Sequence, residues 1–128
     1  MDEPITFGRA APTVCVRDIG VALRFYAGVL GFEKVFANGD PVGFVVLKKD
    51  AAEIHLARKV DHVASITNVM HLFVDDADAL HRRLEAQDTR IIKRLADKEY
   101  GQRSFVFADP DGNRIDVGAR SSERVRST

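Results

Sequence analysis

A chain of 128 residues, 45% hydrophobic and 30% charged, is long enough for one domain with a real core and too ordinary in composition to be disordered or fibrous. Nineteen Lys and Arg balance nineteen Asp and Glu, so no global field draws the protein to nucleic acid or an anionic membrane, and neither is expected as a partner. Cys15 is the one cysteine and excludes an internal disulfide; no apolar run nears the about 20 residues that cross a bilayer, and residues 1–10 carry no signal-peptide pattern, so a soluble, cytoplasmic protein is expected.

Val14-Cys15-Val16-Arg17-Asp18 reads as a strand ending in Asp, and Leu72-Phe73-Val74-Asp75-Asp76 repeats it at an offset of 58 residues. After the first copy, Ile19, Leu23, Phe25, Tyr26 and Leu30 recur at three- and four-residue steps, predicting a helix over about 19–30 with Asp18 as N-cap and Gly31 as stop. Strands are predicted over Glu33–Phe36, Gly43–Lys48 and Glu53–Ala57, the first two joined by the turn residues Ala37-Asn38-Gly39-Asp40-Pro41. A linker over about 59–67 follows. In the second copy Asp76 caps a helix over about 77–87, with Ala77, Leu80, Leu84 and Ala86 inward and Arg82 and Arg83 on the wet side. Strands follow over Arg90–Leu95, Arg103–Ala108 and Asn113–Val117, with Asp109-Pro110-Asp111-Gly112-Asn113 as the last turn.

The unit is βαβββ, used twice. The expected fold is α+β: tandem modules of about 9–58 and 68–118 in one domain, forming curved mixed sheets around a cleft, with 119–128 as a disordered polar tail. One module alone leaves a sheet face wet, so modules must pack within a chain or by exchange between chains. A homodimer, possibly module-swapped, is the expected assembly, and the cleft is where a small-molecule ligand belongs.

No GxSxG elbow, P-loop or GxGxxG is present, which removes the acyl-transfer, NTPase and dinucleotide classes. Cys15, between Val14 and Val16 in mid-strand, reads as an inert thiol. Flat aromatic walls with a few polar anchors suit a binder. Phe36, Phe44, Tyr100 and Phe105 are the candidate walls and Arg103 and Ser104 the anchors, while Phe25, Phe32, Phe73 and Phe107 are assigned to the core. Strand alternation puts Thr13 with Ala11, His71 with Val69, and His55 with Glu53 on cleft-facing sides. His55 and His71 are read as polar walls bonded to carboxylates or ligand, and His62 and His81 as loop and helix-surface residues.

Four strings in order, VRDIGVALRFYAGVLGF, EIHLARK, HLFVDDADALHRRLEA and YGQRSFVFADPDGN, resemble the vicinal-oxygen-chelate (glyoxalase, bleomycin resistance, extradiol dioxygenase) superfamily over about 11–118, in particular its bleomycin-resistance-like branch. The resemblance implies a site for a divalent metal held by a strand-one histidine and a strand-four carboxylate in each module. The matching positions here are Ala11, Val69, Asp116 and either Glu53 or His55, so two positions offer no lone pair. No metal and no other cofactor is expected; the alternative is an altered site in which His55, His71, Glu53 and Asp116 hold Ni, Zn, Mn or Fe. The resemblance also implies that Phe36 lines a drug groove. Ser104 stands where relatives carry Glu, the chain has no Trp to stack on a drug, and its neutrality gives little attraction for a cation such as bleomycin. The expected function is metal-free binding of another flat or amphipathic molecule, a drug or metabolite, with no catalytic residue assigned. The alternatives are a metal-dependent lyase, isomerase or dioxygenase and an accessory protein with a vestigial cavity.

Overall fold

Asp18 and Asp76 start the two helices as the repeat predicts. Each sits in extended backbone and accepts a bond from the amide three residues on, Val21 at 2.9 Å and Ala79 at 3.0 Å. In the computed structural model, which describes residues 3–98 and 101–120, module one runs β1 (Thr13–Val16), α1 (Ile19–Tyr26), β2 (Glu33–Asn38), β3 (Phe44–Lys49) and β4 (Ala52–Arg58). Module two runs β5 (Asn68–Phe73), α2 (Ala77–Ala86), β6 (Ile91–Asp97), β7 (Gln102–Ala108) and β8 (Arg114–Arg120). The sheets have the orders β1-β4-β3-β2 and β5-β8-β7-β6, each with one parallel pair. The α+β tandem architecture is therefore present.

Several boundaries move by a residue or two, β2 taking Ala37 and Asn38 from the expected turn, and two shifts have a clear cause. The α-helical part of α1 stops at Tyr26 rather than near 30: a Cβ on Gly28 would lie 2.3 Å from the Arg24 carbonyl, so glycine lets the chain leave the helix in a tightened turn. β8 continues to Arg120, taking two residues from the expected tail, because Ala119 packs in the core at 3% exposure. Residues 121–128 lie outside the described residues.

Alternation divides each strand between two faces. Val14, Val16, Val45, Leu47, Ile54 and Leu56 bury their side chains with Ile19, Ala22, Phe25 and Tyr26 of α1, while Phe105, Phe107, Ile115 and Val117 do so with Ala77 and Leu84 of α2. The helix-facing sides share one core, since the rings of Phe25 and Phe107 from different modules approach to 5.9 Å between centroids.

A polar latch accompanies that contact. The buried Tyr26 hydroxyl donates to Asp109 Oδ2 at 2.8 Å, and Asp109 also accepts from the amides of Asp111 and Asn113 and from Asn113 Nδ2. The turn then reaches the outer edge of β1: the Arg17 amide donates to Asp111 Oδ1 and Asn113 Nδ2 donates to the Cys15 carbonyl, both at 2.9 Å. His62, expected as a loop-surface residue, bonds through Nε2 to Asn113 Oδ1 at 2.8 Å and so ties the linker to the same turn.

Burial first, and then the charge of Asp109, push the Tyr26 hydroxyl well above its usual titration range. The folded state holds this proton more tightly than the unfolded chain, so its contribution is complete below about pH 10 and falls as pH rises further. Tyr26→Phe should cost about 1–2 kcal/mol in urea unfolding near neutral pH and should remove part of the loss of stability above that pH; an unchanged midpoint would show that the latch carries no stability.

Candidate functional site: two open sheet faces

The face of each sheet turned away from its helix carries the chemistry. Strand register puts Phe36, Val46, His55 and Thr13 in one row across module one, and Lys93, Val106, Asp116 and His71 in the corresponding row of module two. Thr13 pairs with His55 as His71 pairs with Asp116, and Thr13 and His71 are 58 residues apart in the repeat. His55, rather than Glu53, is therefore the module-one counterpart of Asp116.

On module one, edge-on rings form a wall: Phe36 to Phe44 at 6.5 Å and Phe44 to His55 at 5.4 Å. His55 Nε2 lies 2.6 Å from Glu53 Oε2, and Arg9 and Lys48 lie on the other carboxylate oxygen. The bonds from His55 and Arg9 hold the Glu53 carboxyl below its usual range. On module two, His71 Nδ1 lies 2.8 Å from Asp116 Oδ2. A carboxylate accepts, so Nδ1 donates, and Nε2 of His71 lies over the backbone of Gly118.

Gly118 makes room for this arrangement. A Cβ there would lie 2.7 Å from His71 Nε2 and 2.5 Å from Gln102 Oε1, so the imidazole and the amide converge over a bare backbone. Ser104 pairs with Gly118 and shares that face, although it is buried at 3% exposure. Gln102 escaped the sequence reading; its position two residues before Ser104 on one strand was the available signal.

Phe36, Phe44, His55, His71 and Ser104 thus lie on the open faces. Phe105 and Arg103 are corrections, because they point the other way. Phe105 is 1% exposed, with its ring 5.0 Å from that of His81 under α2. Arg103 makes a two-pronged bond to Asp78 of α2, at 2.7 and 3.3 Å, and a further one to Asp97; the Asp78 bond above all raises its pKa. Phe73, expected in the core, is 73% exposed beside His71, with ring centroids 4.5 Å apart. His81, expected on the helix surface, is mostly covered by its contact with Phe105. Tyr100 lies outside the described residues.

No hydrogen bond or ring contact joins Phe36, Phe44 or His55 to His71, Phe73 or Asp116. Among the described residues no three His, Cys, Asp or Glu side chains gather as a metal site. Ala11 and Val69 offer no donor, and each imidazole bonds a carboxylate through one ring nitrogen. Among the described residues no helix is long and apolar enough to cross a membrane.

Against known proteins, the profile described as Glyoxalase/Bleomycin resistance protein/Dioxygenase superfamily matches residues 7–117. No curated protein sequence matches. A solved member of that superfamily from Sphaerobacter thermophilus DSM 20745 is 28% identical, with a TM-score of 0.75, covering 90% of this chain and 98% of that one. The bleomycin-binding protein of Streptomyces verticillus, solved with copper(II)-bleomycin, is 23% identical at a TM-score of 0.70, over 91% and 98% of the two chains. Lactoylglutathione lyase from Agrobacterium tumefaciens is 21% identical at 0.72, over 94% and 98%. The last two likenesses, at such identities, are of fold.

Gly118→Ala tests the geometry of the module-two face. The added methyl meets only the ends of two side chains, so stability should change by under about 1 kcal/mol, while imidazole NMR signals of His71 move as the ring is displaced. Unchanged signals would place His71 elsewhere.

Proposed function

Since the chain belongs to the Glyoxalase/Bleomycin resistance protein/Dioxygenase superfamily, we propose that it binds a flat, amphipathic small molecule without a metal, in a cup formed when the module-one face of one copy meets the module-two face of a second. The observation that carries this reading is the complementarity of the two open faces. One is an aromatic wall of Phe36 and Phe44; the other is a polar floor of His71, Asp116, Gln102 and Ser104. A ring system stacks on the first while hydrogen-bonding groups reach the second, the usual division of labour in small-molecule sites.

Exposure supports a second copy. Phe36 is 52% and Phe73 73% exposed in the single chain, and clustered apolar side chains on an open sheet mark an interaction surface. A homodimer hides them and brings the faces together, with or without exchange of modules. The metal-free part rests on the donors: Ala11 and Val69 offer none, and among the described residues no three His, Cys, Asp or Glu side chains gather.

Relatives narrow the ligand only coarsely. The Streptomyces verticillus protein binds copper(II)-bleomycin, whereas this chain is neutral overall and has no Trp, so bleomycin is not the ligand we assign. Sequestration of another drug or of a metabolite in the cytoplasm suits a site with no catalytic residue assigned.

EDTA-treated protein should sediment at twice its 14.2 kDa chain mass, and a screen of flat amphipathic compounds by thermal shift should yield saturable binders. Phe36→Ala and Phe44→Ala should each weaken a binder by about 1–3 kcal/mol. A monomer, or affinities indifferent to both substitutions, would refute the cup.

A further inference from the structure

The repeat is symmetric in its backbone but not in how each module's last turn meets the other module. The 109–113 turn of module two seals the outer edge of β1. The equivalent turn of module one is shorter: four residues separate the paired Lys48 and Glu53, whereas five separate Ala108 and Arg114. Where the latch has Asp109, Asp111 and Asn113, this turn reads Lys49-Asp50-Ala51-Ala52. Between it, α2 and the outer edge of β5 lies a cavity of about 590 Å³, bordered by Leu30, Phe32, Leu72, Leu80, Lys49 and Arg83 among others; Phe73, beside His71, marks the border it shares with the cup, while His71 and Asp116 do not line it.

The edge of β5 faces this cavity with unused backbone groups. Val16 accepts from Lys59 and Val74 donates to Gly118, so these residues turn their backbone groups inward, toward β4 and β8. Their neighbours turn outward by alternation. On β1 the outward groups, the Cys15 carbonyl and the Arg17 amide, are taken by Asn113 and Asp111. The repeat puts Phe73 and Asp75 in their places. Among the described residues no protein group bonds the Phe73 carbonyl or the Asp75 amide, and neither Lys49 nor Arg83 has an ion-pair partner.

We propose that this cavity is a second binding site, distinct from the cup, for an N-acylated α-amino acid with an apolar side chain, or for a peptide C-terminus of that kind. The latch is the template: it places a neutral amide donor on one outward carbonyl and a carboxylate on the amide two residues later. A single residue lying parallel to β5 makes both bonds, its N–H to the Phe73 carbonyl and its carboxylate from the Asp75 amide, which is the ladder geometry of parallel strands. Lys49 and Arg83 border the site as cations for that carboxylate. Leu30, Phe32, Leu72 and Leu80 receive the apolar side chain. Asp50, Asp75 and Asp76 border the cavity too, with Asp76 capping Ala79, so the ligand's carboxylate has to sit on the Lys49 and Arg83 side of the site. The volume suits a molecule of drug size.

N-acetyl-L-leucine is the probe. Titrated into ¹⁵N-labelled full-length protein, it should shift the amide signals of Asp75, Ala79 and Leu80 saturably. N-acetyl-leucinamide, which lacks the carboxylate, should bind about tenfold more weakly, as should the probe to Arg83→Gln and Lys49→Gln, the loss of one charge-assisted bond. Phe36→Ala, in the cup, should leave probe affinity unchanged, so failure of the cup and failure of this site are told apart. Shifts confined to the cup, equal binding of acid and amide, or no saturable shift at Asp75 would each overturn the proposal.

Discussion

The Asp109 carboxylate is the interaction on which the rest depends. Its two oxygens collect four bonds: the Tyr26 hydroxyl from α1, the Asn113 side-chain amide, and the backbone amides of Asp111 and Asn113. Four donors on one buried acceptor fix the turn, and the fixed turn reaches the outer edge of β1 through Asp111 and Asn113. Two modules that share a core through Phe25 and Phe107 are thereby held at one orientation. Their helix sides face inward and their open sheet faces remain available. A small chain otherwise dependent on non-directional apolar burial gains orientation from hydrogen bonds, because an unmade bond at a buried carboxylate is costly.

With the scaffold fixed, the two copies of the unit have diverged side chain by side chain. His71 stands where module one has Thr13, Asp116 where it has His55, and Lys93 where it has Phe36. The result is one aromatic face and one polar face on the same backbone plan. Each carries an imidazole held by a carboxylate, but Glu53 takes Nε2 of His55 while Asp116 takes Nδ1 of His71. The ring nitrogen left without a carboxylate therefore differs between the faces, Nδ1 of His55 and Nε2 of His71. The same divergence separates the sealed edge of β1 from the cavity at β5.

The repeat, the helix caps and the order of strands were legible because each has a local cause: an Asp before an amphipathic stretch, β-branched runs, and Gly, Pro and Asn at reversals. So was the open-face position of His55 and His71, which follows from alternation, whereas Phe36 reaches the open face through a bulge after Lys34. Alternation failed for β7, where five consecutive residues from Ser104 to Ala108 are buried on both faces, so no pattern distinguished Phe105 under α2 from Ser104 opposite it. The partner of Arg103, Asp78, lies 25 residues away on a helix, and no local signal announces it. Phe73 misled through hydrophobicity alone. Bulges between Lys34 and Phe36 and within β6 shift register in ways that residue types do not disclose.

The central claim, binding without a metal, is tested most directly by a thermal melt of EDTA-stripped protein with and without Ni, Zn, Mn or Fe(II), since an ion that binds only the folded state raises its stability by mass action. The account predicts coincident melts with and without each ion. A rise of several degrees that disappears in the His55→Ala/His71→Ala double variant would contradict it and would make the carboxylate-bonded histidines ligands of an altered metal site.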